Sequence, residues 1–502
     1  MKIRAALPLG WRTAYNKGRA VLVEASLPIR HSAQSLAQAW LTSTTQRPFF
    51  LFETPTGPAS QRFALLAGEP FFVLEGRGAR AWIVRGHQRV PLTIPPEKAL
   101  ARLGRALKAQ GVASVHPGWV PLVGGLSFEA GARFEPWKLP KPEPLGLPDW
   151  AWALPSRWAW RCGTHSPWKF RELAPSREFL AAIAKSVGMT GVQLAALATE
   201  PAPAHFEGWL MGLQQRAETA VKPSAPHAKP APKIKDTRNA KSYARMVHQA
   251  QVDILDGEYY QANLTHRLSA PFKGDAFEFY QRLLVESPSP MSAYVDFGPT
   301  QIISASPERL FRQRGPVVDT WPIAGTAPNL GRPGEREALR KSAKDAAEHV
   351  MLVDLERNDL GRVCVPGSIK VPRFKTIETY THVHHLVSQV RGRLEPGRDF
   401  VDLLRAGFPG GSITGAPKSR VLKAIADLEG ERRGWYTGGV GYWDPARDHA
   451  DFNILIRSAF AQEGRLTWSV GSGIVTDSVG KKEWVETLAK GKHVLRVLKG
   501  AA

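Results

Sequence analysis

The chain has 502 residues, 43% of them hydrophobic, enough to bury a large core in one big domain or two. Only two cysteines occur, Cys162 and Cys364, too few and too far apart for a disulfide framework or a zinc spacing, so a reducing, cytoplasmic setting is expected and any metal chemistry must use carboxylates. A formal charge of +22 attracts an anionic partner, but Lys and Arg are dispersed without a nucleic-acid-binding signature, which leaves a solvated basic surface or a small anionic substrate.

Met1-Lys2-Ile3-Arg4 is not followed by an apolar signal core, and no apolar run approaches the roughly 18 residues of a membrane span, so no membrane partner is expected. Lys138 to Pro144 reads as a Pro-rich loop. Trp150, Trp152, Trp158 and Trp160 then fall at two-residue spacing, which predicts one buried face of a strand and not a stacking platform for bases. From Val221 to Lys233, Pro, Ala and Lys alternate with nothing to pack, the pattern of an extended, semi-rigid linker.

Beyond the linker, Tyr243, Met246, Val247, Ala250 and Ile254 are spaced for a helix that stops near Gly257, and Tyr259 to Leu268 reads as a strand. A long helix is predicted from about Glu335 to Leu355, another from Pro417 to Leu428, and a last one from Glu483 to Leu498. Gly438 to Trp443, Phe452 to Phe460 and Leu466 to Val470 read as strands.

Two carboxylate pairs stand out. Asp345 and Glu348 lie three apart on one predicted helix, Glu483 and Glu486 on another, so each pair projects from one face. Four such groups could hold a hard cation such as Mg2+, which keeps several waters and takes only one or two direct carboxylates, although the same spacing is common on solvated helices. The loop Phe408 to Lys418 leads glycines into a helix N-terminus, where N–H groups and the dipole favour an anion; it lacks the nucleotide-binding spacing. Gly471-Ser472-Gly473 reads as a turn that either packs tightly or offers bare N–H groups to a carboxylate, for which Arg457, on an alternating strand, could be the bidentate partner. His384 and His385 are candidates for proton transfer. No nucleophile triad or dinucleotide fingerprint accompanies them, so the residues by themselves define a metal and anion site of an enzyme.

Together, Asp354-Leu355-Glu356-Arg357-Asn358-Asp359-Leu360-Gly361-Arg362-Val363 and the Gly410 to Lys418 loop resemble the chorismate-utilising enzymes, the group that holds anthranilate synthase component I, aminodeoxychorismate synthase component I and the isochorismate and salicylate synthases. The resemblance is strong from about Thr237 to Leu498 and fainter through Phe50 to Pro70 and Val123 to Glu135. It implies an α+β fold of two facing β-sheets with outer helices, divided as an N-terminal portion (1–218), a linker (219–236) and a chorismate-binding catalytic domain (237–502). It also implies roles: Glu348 and Glu486 as direct Mg2+ ligands, Asp345 and Glu483 acting through water, and His385 as the catalytic histidine. Thr326 and Ser412 would line the substrate ring, while Tyr442, Arg457, Gly471 and Gly473 would cradle the enolpyruvyl carboxylate, with Lys490 closing that side.

Gln261 stands where the water-using relatives are expected to carry a lysine base; an amide cannot deprotonate water, so ammonia is the expected nucleophile. Neither cysteine sits in a glutaminase nucleophile turn, which implies a separate glutamine amidotransferase subunit as partner. Ser306-Pro307-Glu308-Arg309, the Gly410 to Gly415 form of the loop and Ser287 to Tyr294 resemble the aminodeoxychorismate branch, which amination at C4 defines. Against that, Ala324 occupies the position of the lysine with which many of those enzymes attack the ring.

Overall fold

A computed structural model describes residues 12–15, 20–27, 31–56, 62–110, 121–140, 146–189, 206–220, 232–380 and 383–500. Residues 221–231 of the expected linker and 141–144 of the Pro-rich loop lie outside these.

Strand-forming sequence recurs through both halves, and the described strands join one continuous antiparallel network with helices packed against it, the α+β class that the sequence implied. Phe49–Glu53 shows why: it is apolar at successive positions and buries both faces, Phe50 and Phe52 in one core cluster, Phe49 and Leu51 in the other. It pairs with Met291–Asp296, and Leu122–Leu126 pairs with Gly439–Asp444, so strands from the two halves are hydrogen-bonded neighbours. The tryptophans behave as their spacing predicts: on the strand Trp150–Cys162, Trp150, Trp152 and Trp158 are fully buried.

Three predicted elements are interrupted, each for a local reason. The helix expected from Glu335 is two, Glu335–Lys341 and Ala343–Gly361, because Ser342 turns extended and caps the second by accepting from the backbone N–H of Asp345. The last helix is also two, Gly480–Lys490 and Lys492–Leu498, broken at Gly491, where a Cβ would press within 3.2 Å of Val470 and Trp468. The strand expected from Phe452 to Phe460 is divided into His449–Asn453 and Ser458–Gln462; Arg457 sits in the bend between them at φ 50°, not on a strand.

Gly471, Ser472 and Gly473 form no turn. They lie inside Arg465–Ile474, which pairs with Gln261–Pro271 from Arg465 opposite Pro271 to Ile474 opposite Ala262. Glycine is needed there for closeness: a Cβ on Gly471 would meet Asn263 Oδ1 at 2.8 Å, and one on Gly473 would meet Gln261 Nε2 at 2.6 Å.

Candidate active site

Alternation along these two paired strands creates two unlike faces. One carries Gln261, Asn263, Thr265, Gly471 and Gly473; the reverse carries Leu264, His266 and Ser472. On the first face Gln261 is 2% exposed, and its Oε1 is buried without a hydrogen-bond partner. A buried amide oxygen left unpaired costs about 1–3 kcal/mol, so it marks a place where a donor is wanted. Glu348, from the Ala343–Gly361 helix, approaches the same face, with Oε1 3.6 Å from where a Cβ on Gly473 would be. Asp345, one turn earlier, packs against Gly325.

The C-terminal helix meets the strand differently. Glu483 is buried on the reverse face, and both of its oxygens are taken: Oε2 accepts from Ser472 and Oε1 from Ser478 at 2.9 Å. Glu486 is half-exposed and pairs with Lys490 at 2.9 Å, and Lys490 also donates to the carbonyl of Gly471 at 3.1 Å. Glu348, Glu483 and Glu486 thus lie around the strand Arg465–Ile474 and Asp345 against Gly325, and among the described residues no group of three or more His, Cys, Asp and Glu stands ready to hold a metal ion. Magnesium needs only one or two direct carboxylates, and these hard oxygen donors suit it chemically.

A second group surrounds His385, which is 2% exposed on Val383–Arg393. Thr326 Oγ1 lies 2.9 Å from its Nδ1, and Arg457 Nη2 lies 3.3 Å from its Nε2. A guanidinium can only donate, so Nε2 is the acceptor and Nδ1–H donates to Thr326. Burial, reinforced by the Arg457 charge, drives the imidazole pKa down to about 3. The histidine is therefore neutral at physiological pH, with its two ring nitrogens engaged by Thr326 and Arg457. His384, its neighbour, bonds Thr379 at 3.0 Å instead.

Tyr442 does not join this group. It packs against Phe63 and Phe52 and lines a small separate cavity with Glu53, Met291 and Asp451. Its position on Gly439–Asp444 points it toward the N-terminal strands that pair alongside.

Glu308 belongs to the Ser306 to Arg309 string but is not among the expected site residues. It lies between two short strands, 5% exposed, facing Ser412 and Arg457. Burial lifts its pKa to about 7, with Ser412, the backbone of Ile323 and Arg457 pulling the other way. An acid poised near the working pH can both hold and release a proton. Ser412 lies in the 3-10 turn Gly411–Ile413, which is separated from the Lys418–Glu429 helix by a two-residue strand, Gly415–Ala416, paired to Gln261 and Ala262. That strand brings Ser412 over the Gln261 face, where Asn263 Nδ2 donates to its carbonyl at 3.4 Å. Asn263, too, had no sequence signal beyond its strand. The lysine-for-alanine position is plain: Ala324 is 5% exposed, its carbonyl 3.3 Å from His349 Nδ1, and it offers no nucleophile.

A bare glycine face, an unpaired buried amide and a buried arginine are groups that can receive a small anionic ligand. The chain belongs to the chorismate binding enzyme family: the family profile of that description matches residues 69–496. It is similar to anthranilate synthase component 1 of Streptomyces coelicolor, 35% identical over 494 residues that cover 95% of this chain and 93% of that one. It is also similar to aminodeoxychorismate synthase component 1 of Bacillus subtilis, 41% identical over 294 residues, 58% of this chain and 61% of that one. With several other relatives, too, the chain spans only about half to three fifths of their length. Among solved structures, anthranilate synthase component I from Streptococcus pneumoniae superposes with a TM-score of 0.72 at 28% identity, over 88% of this chain and 94% of that one. This is a chorismate-utilising enzyme of the anthranilate synthase and aminodeoxychorismate synthase component I type.

Proposed function

We propose that this chain is component I of an aminodeoxychorismate synthase, converting chorismate and ammonia to 4-amino-4-deoxychorismate, with the ammonia supplied by a glutamine amidotransferase subunit. The observation that carries amination is Gln261: the buried group facing Glu348 across the glycines is a neutral amide, unable to activate water, so the nucleophile must arrive able to attack unaided. The Ser306 to Arg309, Gly410 to Gly415 and Ser287 to Tyr294 strings favour C4 over C2.

Magnesium, when bound, would supply a Lewis-acid grip on the ring carboxylate. Glu348 and Glu486 would hold it directly and Asp345 through water, whereas Glu483 would have to release a serine to take part. Arg457, oriented by His385, would pair with the enolpyruvyl carboxylate beside the bare backbone of Gly471 and Gly473, and Lys490 would close that side. Thr326 and Ser412 would border the ring. Glu308 would give its proton to the departing hydroxyl, so that water leaves while the ammonia nitrogen adds.

Anthranilate synthesis is the second reading, and Ala324 favours it, because a covalent lysine route is closed in this chain. Purified protein incubated with chorismate, magnesium and ammonium separates the two: a product that releases p-aminobenzoate only after an aminodeoxychorismate lyase is added is expected. Fluorescent anthranilate formed without the lyase would assign the chain to the other branch.

A further inference from the structure

The strand that carries Gln261 and Asn263 has one edge covered along its length by Arg465–Ile474, whereas the other edge is covered in pieces. At one end Gln261 and Ala262 pair with Gly415–Ala416, and the Asn263 N–H donates to the Thr414 carbonyl at 2.8 Å. At the other, Leu268 and Ser269 pair with Lys235–Asp236, and the Thr237 N–H donates to the Arg267 carbonyl at 2.9 Å. Between these stretches no strand among the described residues lies alongside, and two side chains take its place. Glu429 Oε1 accepts from the Thr265 N–H at 2.8 Å, and Arg433 Nη2 donates to the Asn263 carbonyl at 2.6 Å. Buried backbone groups need partners, and here an ion pair provides them.

A turn brings the pair together. Glu429 ends the Lys418–Glu429 helix, and Gly430, left-handed at φ 66°, reverses the chain so that Arg433 returns to it. Arg433 Nη2 and Nε reach the carboxylate at 2.8 and 3.0 Å, and both side chains are buried. A guanidinium has five N–H groups, and each one has an acceptor. Nε and one hydrogen of Nη2 face Glu429, and the other faces Asn263; Nη1 donates to the Ile413 carbonyl at 2.8 Å and to Thr437 Oγ1 at 3.4 Å. From the turn Phe128–Arg133, Glu129 holds the backbone N–H groups of Arg433 and Gly434 at 2.8 and 3.0 Å, and the guanidinium lies over the Phe128 ring at 4.5 Å. Ile413 directly follows Ser412. One rigid plane thus grips both the turn that holds Ser412 and the strand that holds Gln261 and Asn263.

We propose that Arg433 is a positioning residue of the reaction, setting Ser412 against the Gln261 face through the carbonyls of Ile413 and Asn263. This role rests on the reading of that face as the chorismate site. Planarity is what it requires. A lysine ammonium can neutralise Glu429, but as a single point on a flexible stem it cannot span two carbonyls that a fork reaches from different nitrogens.

Arg433→Lys in the full-length chain separates this role from charge pairing, because a cation stays beside Glu429. Without substrate, amide hydrogen exchange over 411–416 should become faster, while the body of the following helix keeps its protection. In turnover with magnesium and ammonium, followed as loss of chorismate whichever amine is formed, kcat per folded molecule should fall at least about tenfold with little change in KM, since an error of about 1 Å between reacting groups is enough for that. Arg433→Met combined with Glu429→Leu guards against loss of the fold, because it leaves no charge of the pair to desolvate. It should unfold cooperatively in urea and show the same loss of kcat. Unchanged kcat per folded molecule in either variant, or unchanged exchange over 411–416 in Arg433→Lys, overturns the proposal. An unmodified protein that consumes no chorismate would defeat the reading of the site instead, and the exchange arm would still decide whether Arg433 holds the turn.

Discussion

The guanidinium of Arg457 reaches Nε2 of His385 at 3.3 Å from a backbone held in the left-handed region, φ 50°. An arginine there is strained by about 1–3 kcal/mol, and that conformation bends the chain between two strands so the side chain turns inward. Both members are buried, and each fixes the other's role: the arginine as donor and the histidine as neutral acceptor.

The neutrality of His385 has a consequence for stability. Its folded pKa is depressed to about 3 from 6.5, so the unfolded chain binds the extra proton first. Its contribution is therefore complete above pH 6.5 and is lost as pH falls through about 3. Between pH 6.5 and 5 the stability gap between the unmodified protein and His385→Gln should shrink by about 2 kcal/mol, because each unit of linkage is worth about 1.4 kcal/mol. Urea unfolding of both at the two pH values measures it; a constant gap would mean that the imidazole titrates in the fold as it does in the unfolded chain.

Gly473→Ala tests the bare strand face. The new Cβ would lie 2.6 Å from Gln261 Nε2 and 3.6 Å from Glu348 Oε1, so the amide must shift while the strand itself stays paired. At least a tenfold loss of kcat/KM is expected, as small misplacements in a reacting site cost up to about a hundredfold. Gly361→Ala, whose Cβ would meet only Ile369 at 3.6 Å, should leave turnover unchanged. Full activity in Gly473→Ala would move the site off this face.

What could be read from residues alone follows from how burial is signalled. The tryptophans on Trp150–Cys162 and the carboxylates at three-residue spacing announce themselves through periodicity, and the helices that carry them form. Interruptions do not: Ser342 and the bend at Arg457 are decided by local capping and by packing across the sheet, which no period records. Glu308 and Asn263 were invisible as site residues because a single polar residue carries no mark of being buried. Spacing also promised more convergence than the fold delivers. Glu483 and Glu486 share a helix face, yet Glu483 is drawn to Ser472 and Ser478 and Glu486 to Lys490. The family resemblance, not spacing, groups Tyr442 with Arg457; in the fold Tyr442 lies on a strand paired with Leu122–Leu126 and packs against Phe63.

Lys418 and Asp359 supply the last prediction. Both are nearly inaccessible, and their 2.6 Å bond ties the glycine loop's following helix to the helix that carries Glu348 and Glu356. Removing one partner from a buried pair strands the other charge, which costs about 3–5 kcal/mol, more than the pair itself contributes. Lys418→Met should therefore lower the stability to urea at pH 7 by roughly that amount. The loss should be smaller at pH 5, since Asp359, relieved of its cation, will take up a proton as pH falls. Adding Asp359→Leu to Lys418→Met should recover much of the stability, because two apolar side chains leave no charge to desolvate. If the double variant is as unstable as the single one, the pair holds the two helices through shape alone.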